Sequence, residues 1–240
     1  METQFDLSER TVILAVPTID NKIHITAAGA IMEAATILSA HGCRFGMIHQ
    51  GHCSIIAKAR NNLVSAFMGL EGTTDLIFLD ADTSFKPDDL VKLVCWGSKY
   101  DIVAGLSPLK QDPKVYRSTP YNDENGKQIF TEEGLMEMER VGTAFLLIRR
   151  HVLSRLLIAH RDKVYTDKVS GEQHCALFDT QLKDGSYMGE DYTFCERARA
   201  IGYKIYVDPS ATLSHYGEKE YKGCFGEDVI APAIAARDAA

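Results

Sequence analysis

The chain has 240 residues, 45% hydrophobic and 25% charged, the balance of a globular fold of one domain or at most two small ones. That composition excludes a disordered chain, a collagen-like repeat and a disulfide miniprotein. Twenty-six basic against 33 acidic residues leave a net charge of −7. The global positive field of non-specific nucleic-acid or anionic-lipid binding is therefore absent, although a local basic groove is compatible with it.

The opening METQFDLSER carries acids where a signal peptide carries a basic segment and an apolar core. No apolar run approaches the ~18 residues of a membrane span. Thr11–Val16 (TVILAV) is an apolar run closed by Pro17, as expected of a buried strand. Ile25–Ala40 reads as a helix, with Ile31, Ala35 and Leu38 at helical spacing and Gly42 just past its end. Cys43–His49 reads as a second strand, and Ser54 as the cap of a helix running through Leu70. Asp75–Leu79 (DLIFL) is a third buried strand, Lys86–Trp96 a helix with Pro87 in its first turn, and Asp101–Gly105 a fourth strand.

The second half changes rhythm. Val115–Tyr121 and Leu135–Ile148 read as antiparallel strands, with Asn125-Gly126 marking a turn between them. A helix follows from about Arg150, then a polar loop over Arg161–His174, a helix over Glu190–Ile201 stopped by Gly202, and a late strand at Lys204–Val207. Strand–helix alternation predicts an α/β fold: a mostly parallel central sheet flanked by helices, with a smaller antiparallel part. The chain reads as a single domain over 1–240, with a nucleotide-binding half at about 11–110, a second half at about 111–217 and a tail at 218–240. Cysteines 43, 53, 95, 175, 195 and 224 form no CxxC pair, so they read as reduced thiols of a cytoplasmic protein.

Ligands of open α/β sheets sit beyond the carboxyl ends of the strands. Three such ends carry candidates: Pro17-Thr18-Ile19-Asp20, Asp80-Ala81-Asp82 and Gly105–Lys110. Strand alternation would set Asp80 and Asp82 on one side of the chain, two hard oxygen donors suited to Mg²⁺ or Mn²⁺ shared with a diphosphate. The tripeptide alone also fits a polar loop before a helix. Glu190 and Asp191 open a helix, where they either compensate its dipole or supply a general base. His215 is a candidate metal ligand or an ordinary satisfied histidine. Arg60 and Asn61 lie mid-helix, either on a solvated face or with the arginine reaching a diphosphate or a buried carboxylate. Arg149-Arg150 and Arg161–Lys163 read as solvated surface. No GxG, Walker A, HExxH or GxSxG motif occurs.

The order of the pieces carries a resemblance. VPT at the end of the first strand, ARNNL on the second helix, FLDAD after the third strand, VGTAFLLIRR, and GEDYTFCERARAIGYKIYVDPSATLSHYG follow one another from about Thr11 to Gly217. The sequence resembles the small GT-A-fold glycosyltransferases of the family-2-like type, especially the single-domain ones of phages and large DNA viruses. The resemblance implies that Asp80-Ala81-Asp82 is a DxD motif holding Mn²⁺ or Mg²⁺ and the nucleotide-sugar, with Asp82 the direct ligand and His215 joining it. It implies that Pro17, Thr18 and Asp20 line the base, that Arg60, Asn61 and Lys110 belong to the donor site, and that Gly142-Thr143 forms the floor between donor sugar and acceptor. It makes Asp191 the base, beside Glu190, of an inverting transfer from a UDP- or GDP-linked sugar to a glycan, a protein or a modified DNA base. No QxxRW-type helix follows Asp191, unlike in processive polymer synthases. A sugar-phosphate nucleotidyltransferase, or a non-catalytic nucleotide-sugar-binding subunit, are the competing expectations.

Overall fold

The structure is a computed structural model that describes residues 5–238. The first four residues of METQFDLSER and the last two of the 218–240 tail lie outside the described residues. The first half runs β1 (Thr11–Pro17), α1 (Ile25–Ala40), β2 (Arg44–Gln50), α2 (Ile56–Gly69), β3 (Asp75–Leu79), β4 (Thr83–Phe85), α3 (Pro87–Trp96) and β5 (Ile102–Ala104). The second half starts with β6 (Ser118–Pro120), β7 (Met136–Val141), β8 (Phe145–Arg149) and α4 (Arg150–Ala159). Two hairpins follow, β9–β10 (Val164–Thr166, Gln173–Cys175) and β11–β12 (Gln181–Lys183, Ser186–Met188). The chain then forms α5 (Glu190–Ala200), β13 (Ile205–Val207), β14 (Thr212–Tyr216), β15 (Glu220–Cys224) and α6 (Ala231–Asp238).

An eight-stranded sheet of order β2-β1-β3-β8-β5-β13-β7-β6 unites both halves. β1 is parallel to β2 and β3, and β5 to β13, while β8 and β7 run against their neighbours. β1 shows why its sequence is continuously apolar. Ile13 and Ala15 enter one core and Val12, Leu14 and Val16 the other, so both faces of the strand are buried. The first core takes Leu63 and Phe67 of α2, Val152 and Leu156 of α4, and Phe194 and Ala198 of α5. The second takes Ala34 and Leu38 of α1 with Leu90 and Leu93 of α3. A separate three-stranded antiparallel sheet, β15-β14-β4, stands beside the end of β3. Among the described residues, no helix is long and apolar enough to cross a membrane.

Several sequence expectations change. Ser54 does not cap α2, which starts at Ile56 behind Ile55 and has no side-chain cap. The stretch 135–148 is two strands that do not pair: β8 inserts between β3 and β5, while β7 pairs with β13 and β6. The expected loop over 161–174 holds the β9–β10 hairpin. Beyond the late strand at 204–207 the chain adds β14, which contains His215, and the tail adds β15 and α6. Arg150 is not solvated surface: it donates to the carbonyls of Phe67, Met68 and Leu70 and so ties down the C-terminal end of α2, where carbonyls lack helical partners.

Candidate functional site

β1 and β3 are parallel neighbours, so their carboxyl ends open on one side of the sheet. A cleft of ≈ 580 Å³ lies there, lined among others by Pro17, Thr18, Asp20, Asp80, Ala81 and Asp82. β3 ends at Leu79, and the chain turns at once, with Thr83 N–H donating to Asp80 O at 2.9 Å. The i, i+2 alternation expected of a strand therefore does not govern the two aspartates, and each meets its own partner. Three backbone hydrogen bonds fix this turn to separate segments: Asp80 N–H to Ala144 O at 3.1 Å, His24 N–H to Ala81 O at 3.0 Å, and Tyr216 N–H to Asp82 O at 2.8 Å.

Asp82 faces Lys110, whose Nζ is 2.5 Å from Oδ2, and His215, whose Nε2 is 3.5 Å from Oδ1. Burial pushes the Asp82 carboxyl up, but hydrogen bonds from His215 and Lys110 outweigh it and hold the group at about 2. His215 Nδ1 lies 3.0 Å from the Pro108 carbonyl. A carbonyl only accepts, so Nδ1 donates its hydrogen there, and Nε2 is the ring atom turned to Asp82. An orienting carbonyl on the second ring nitrogen is a common partner of a ligating histidine. Among the described residues, no three or more His, Cys, Asp or Glu side chains are grouped to hold a metal ion. The protein offers one carboxylate and one imidazole at this point. That set fits a hard divalent cation that takes its other ligands from substrate phosphates and water, as Mg²⁺ and Mn²⁺ do.

Asp80 meets α2. Arg60 is 4% exposed and spans two carboxylates, donating from Nη2 to Asp80 Oδ1 at 2.9 Å and from Nη1 to Glu190 Oε1. A second pocket of ≈ 310 Å³ opens on the other side of this bridge and contains Arg60, Asp80, Gly142, Thr143, Glu190 and Asp191. Asp80 and Ile56 line both spaces, so the two adjoin. Burial, then the charge of Glu190, raises the Asp191 carboxyl, against opposing contributions from the Tyr192 N–H and Arg60. The helix N-terminus does not win here. Gly189 leaves room for this carboxylate, since a Cβ there would stand 2.8 Å from Asp191 Oδ1. The Thr143 hydroxyl is buried in the same pocket without a hydrogen-bond partner.

The structure thus brings together Pro17, Thr18, Asp20, Arg60, Asp80, Ala81, Asp82, Lys110, Gly142, Thr143, Glu190, Asp191 and His215 around two adjoining spaces. Asn61 is the exception. Its amide is spent on the Phe178 backbone, donating to O at 2.8 Å and accepting from N–H at 2.9 Å, and it lines neither space. One residue along a helix is a rotation of about 100°, so Arg60 and Asn61 cannot share a face. Two features escaped the sequence reading. His24 and Tyr216 stack at 3.5 Å with their rings 7° apart and line the first cleft. Arg117 lines the second from an exposed loop. Neither had a local signal: the stacked pair lies 192 positions apart, and one arginine in a polar loop resembles any other.

No protein-family profile and no curated protein sequence matches the chain. Among solved structures, A197 from STIV is similar at 18% identity, covering 87% of this chain and 86% of that one, with a TM-score of 0.51. A glycosyltransferase involved in the glycosylation of the major capsid of PBCV-1 covers 63% of this chain and 67% of its own at 13% identity and TM-score 0.34. The inositol-1-phosphate CTP transferase from T. maritima covers 88% and 91% at 13% identity and TM-score 0.45. The last two scores are too low to bear on fold or chemistry. The likeness to A197 concerns the fold alone, and the chain has the GT-A-like α/β fold that the sequence resemblance implied.

Proposed function

We propose that the protein is a metal-dependent, inverting glycosyltransferase that moves a sugar from a UDP- or GDP-linked donor to an acceptor hydroxyl. The observation that carries this reading is the adjacency of two differently equipped spaces. One, at the ends of β1 and β3, is lined by Asp82, with Lys110 on that carboxylate; the other holds Asp191 with its carboxyl pushed up, and His215, whose Nε2 faces Asp82. In the first space Pro17, Thr18 and the His24–Tyr216 stack line the walls that would hold the base and ribose. Asp82 and Nε2 of His215 would hold Mn²⁺ or Mg²⁺. Bound there, the cation would neutralise the charge that grows on the leaving diphosphate. Lys110, already on Asp82, adds a positive charge at the same end.

In the second space Asp191 takes the proton of the acceptor hydroxyl, whose oxygen attacks the anomeric carbon from the face opposite the diphosphate and inverts it. A carboxyl raised by burial is a stronger base than a solvated one, which suits this task. Arg60 holds Asp80 and Glu190 in place through its two ion pairs and leaves Asp191 free to accept the proton. Gly142 and the unpartnered Thr143 hydroxyl form the floor where sugar and acceptor meet. A glycan, a protein hydroxyl and a hydroxylated DNA base are the acceptor classes to screen. The test is release of nucleoside diphosphate from a panel of UDP- and GDP-sugars with Mn²⁺. Turnover that needs the cation and is lost in Asp82→Ala supports the proposal, and no turnover of any donor in the panel overturns it.

A further inference from the structure

A third cavity, ≈ 650 Å³, lies between α2, the loop after β2 and the β9–β10 hairpin, and shares no lining residue with the two spaces above. Its volume is that of a small-molecule site. Two of its lining side chains carry buried polar atoms without partners: Nε2 of His174 and Oδ1 of Asn62. The His174 side chain is 4% exposed. Its Nδ1 shares a hydrogen bond of 2.9 Å with Ser65 Oγ, which fixes the ring, and the acid beside Nε2, Glu172, stands off at 3.8 Å. Asn62 gives one long hydrogen bond of 3.4 Å from Nδ2 to Gln50 and leaves its oxygen over. Buried polar atoms are almost always satisfied, so two orphans lining one cavity point to a hydrogen-bonding occupant.

Charge selects the class of occupant. Lys58 is engaged by Asp167 at 2.8 Å, an internally neutral pair, and Glu172 adds a negative charge at the rim. Phosphate and carboxylate ligands are disfavoured by that balance. An amide and a hydroxyl from α2, facing a carboxylate and an imidazole from the β9–β10 hairpin, instead match a neutral group whose neighbouring hydroxyls both donate and accept. The cavity also adjoins the first cleft: Thr18 N–H donates to Gln50 O at 2.9 Å, and Asn21 Nδ2 lies 2.7 Å from His52 Nε2.

We infer that this cavity is an accessory saccharide-binding site, which takes a neutral sugar unit on Asn62, His174 and Glu172. The inference does not rest on the glycosyl-transfer reading. It is tested by calorimetric titration of the full chain, without metal or nucleotide, with the methyl glycosides of glucose, galactose, mannose and N-acetylglucosamine, and with inorganic phosphate. At least one glycoside binds, and Asn62→Leu and Glu172→Ala each weaken it by about tenfold, the loss of one good hydrogen bond. UDP and GDP binding with Mn²⁺, measured separately, stays unchanged in both variants. Melting curves check that Asn62→Leu folds, and Glu172, 73% exposed, provides a variant whose folding is not in question. The inference is overturned if no glycoside binds, if phosphate binds in its place, or if glycoside binding survives both variants and is lost in Asp80→Ala. Glycoside binding without nucleotide binding would instead sink the transferase reading and leave this site standing.

Discussion

Replacing Arg60 with methionine removes the one group that spans Asp80 and Glu190. Methionine keeps most of the stem's packing, so the change isolates the charge. Two carboxylates are then stranded beside the already raised Asp191. Breaking a fully buried ion pair costs about 3–5 kcal/mol. The side chains of Asp80 and Glu190 are 29% and 15% exposed, so water recovers part of that, and about 2–4 kcal/mol is expected. For a chain of this size 1 kcal/mol moves Tm by about 2–4 °C, which places the expected drop between about 4 and about 16 °C. Calorimetric melts of Arg60→Met at pH 8 read it directly. Adding Glu190→Gln to Arg60→Met should restore part of the loss, because one of the stranded charges is gone. A drop below about 2 °C, or no recovery in the double variant, would refute the idea that Arg60 neutralises this pair.

Three further substitutions probe the same geometry. Because burial and Glu190 raise Asp191 in the folded state, the folded chain binds that proton more tightly than the unfolded chain. Asp191→Asn should therefore melt higher than wild type at alkaline pH. The gain should be complete above the raised folded value and vanish below the ordinary carboxylate value; equal Tm at all pH would contradict the burial. The same substitution should lower kcat by ~10²–10⁴ and abolish an acid limb of the pH–rate profile that lies above the usual carboxylate range. Lys110→Met removes the ammonium that competes for Asp82, so Mn²⁺ titrated without nucleotide, read by electron paramagnetic resonance, should bind more tightly than to wild type. Unchanged or weaker binding would mean that Lys110 does not occupy the cation's place. Gly189→Ala puts a methyl group 2.8 Å from Asp191 Oδ1 and must push that carboxylate aside. Turnover should fall by up to ~10² while Tm moves little, and wild-type turnover would show that Asp191 is not held where the reaction needs it.

Much of this was legible in the sequence where local chemistry and tertiary placement agree. TVILAVP and DLIFL are apolar throughout because both faces of β1 and β3 are covered, and Pro87 and Gly202 sit where a helix starts and stops. The carboxylates after β3 and at the start of α5 were visible because strand ends and helix starts are where α/β sheets present ligands. What stayed hidden depends on distant partners. The segment TLSHY is too polar and short to read as a strand, and becomes one only against Thr83–Phe85 and Glu220–Cys224. β8 separates β3 from β5 although the helix rhythm makes those strands look adjacent. Asn61 went astray for a reason the sequence did contain, the rotation from one helical residue to the next. Arg150 read as surface because the carbonyls it holds belong to a helix about 80 residues earlier in the chain.

The most direct measurement is phosphorus NMR of the protein incubated with diamagnetic Mg²⁺ and its preferred UDP- or GDP-sugar. Glycosyl transfer cleaves between sugar and diphosphate, so the proposed function predicts a growing nucleoside diphosphate signal that Asp191→Asn slows by at least ~10². Pyrophosphate formed instead from a sugar phosphate and a nucleoside triphosphate, or a nucleotide-sugar that binds and is never cleaved, would contradict it.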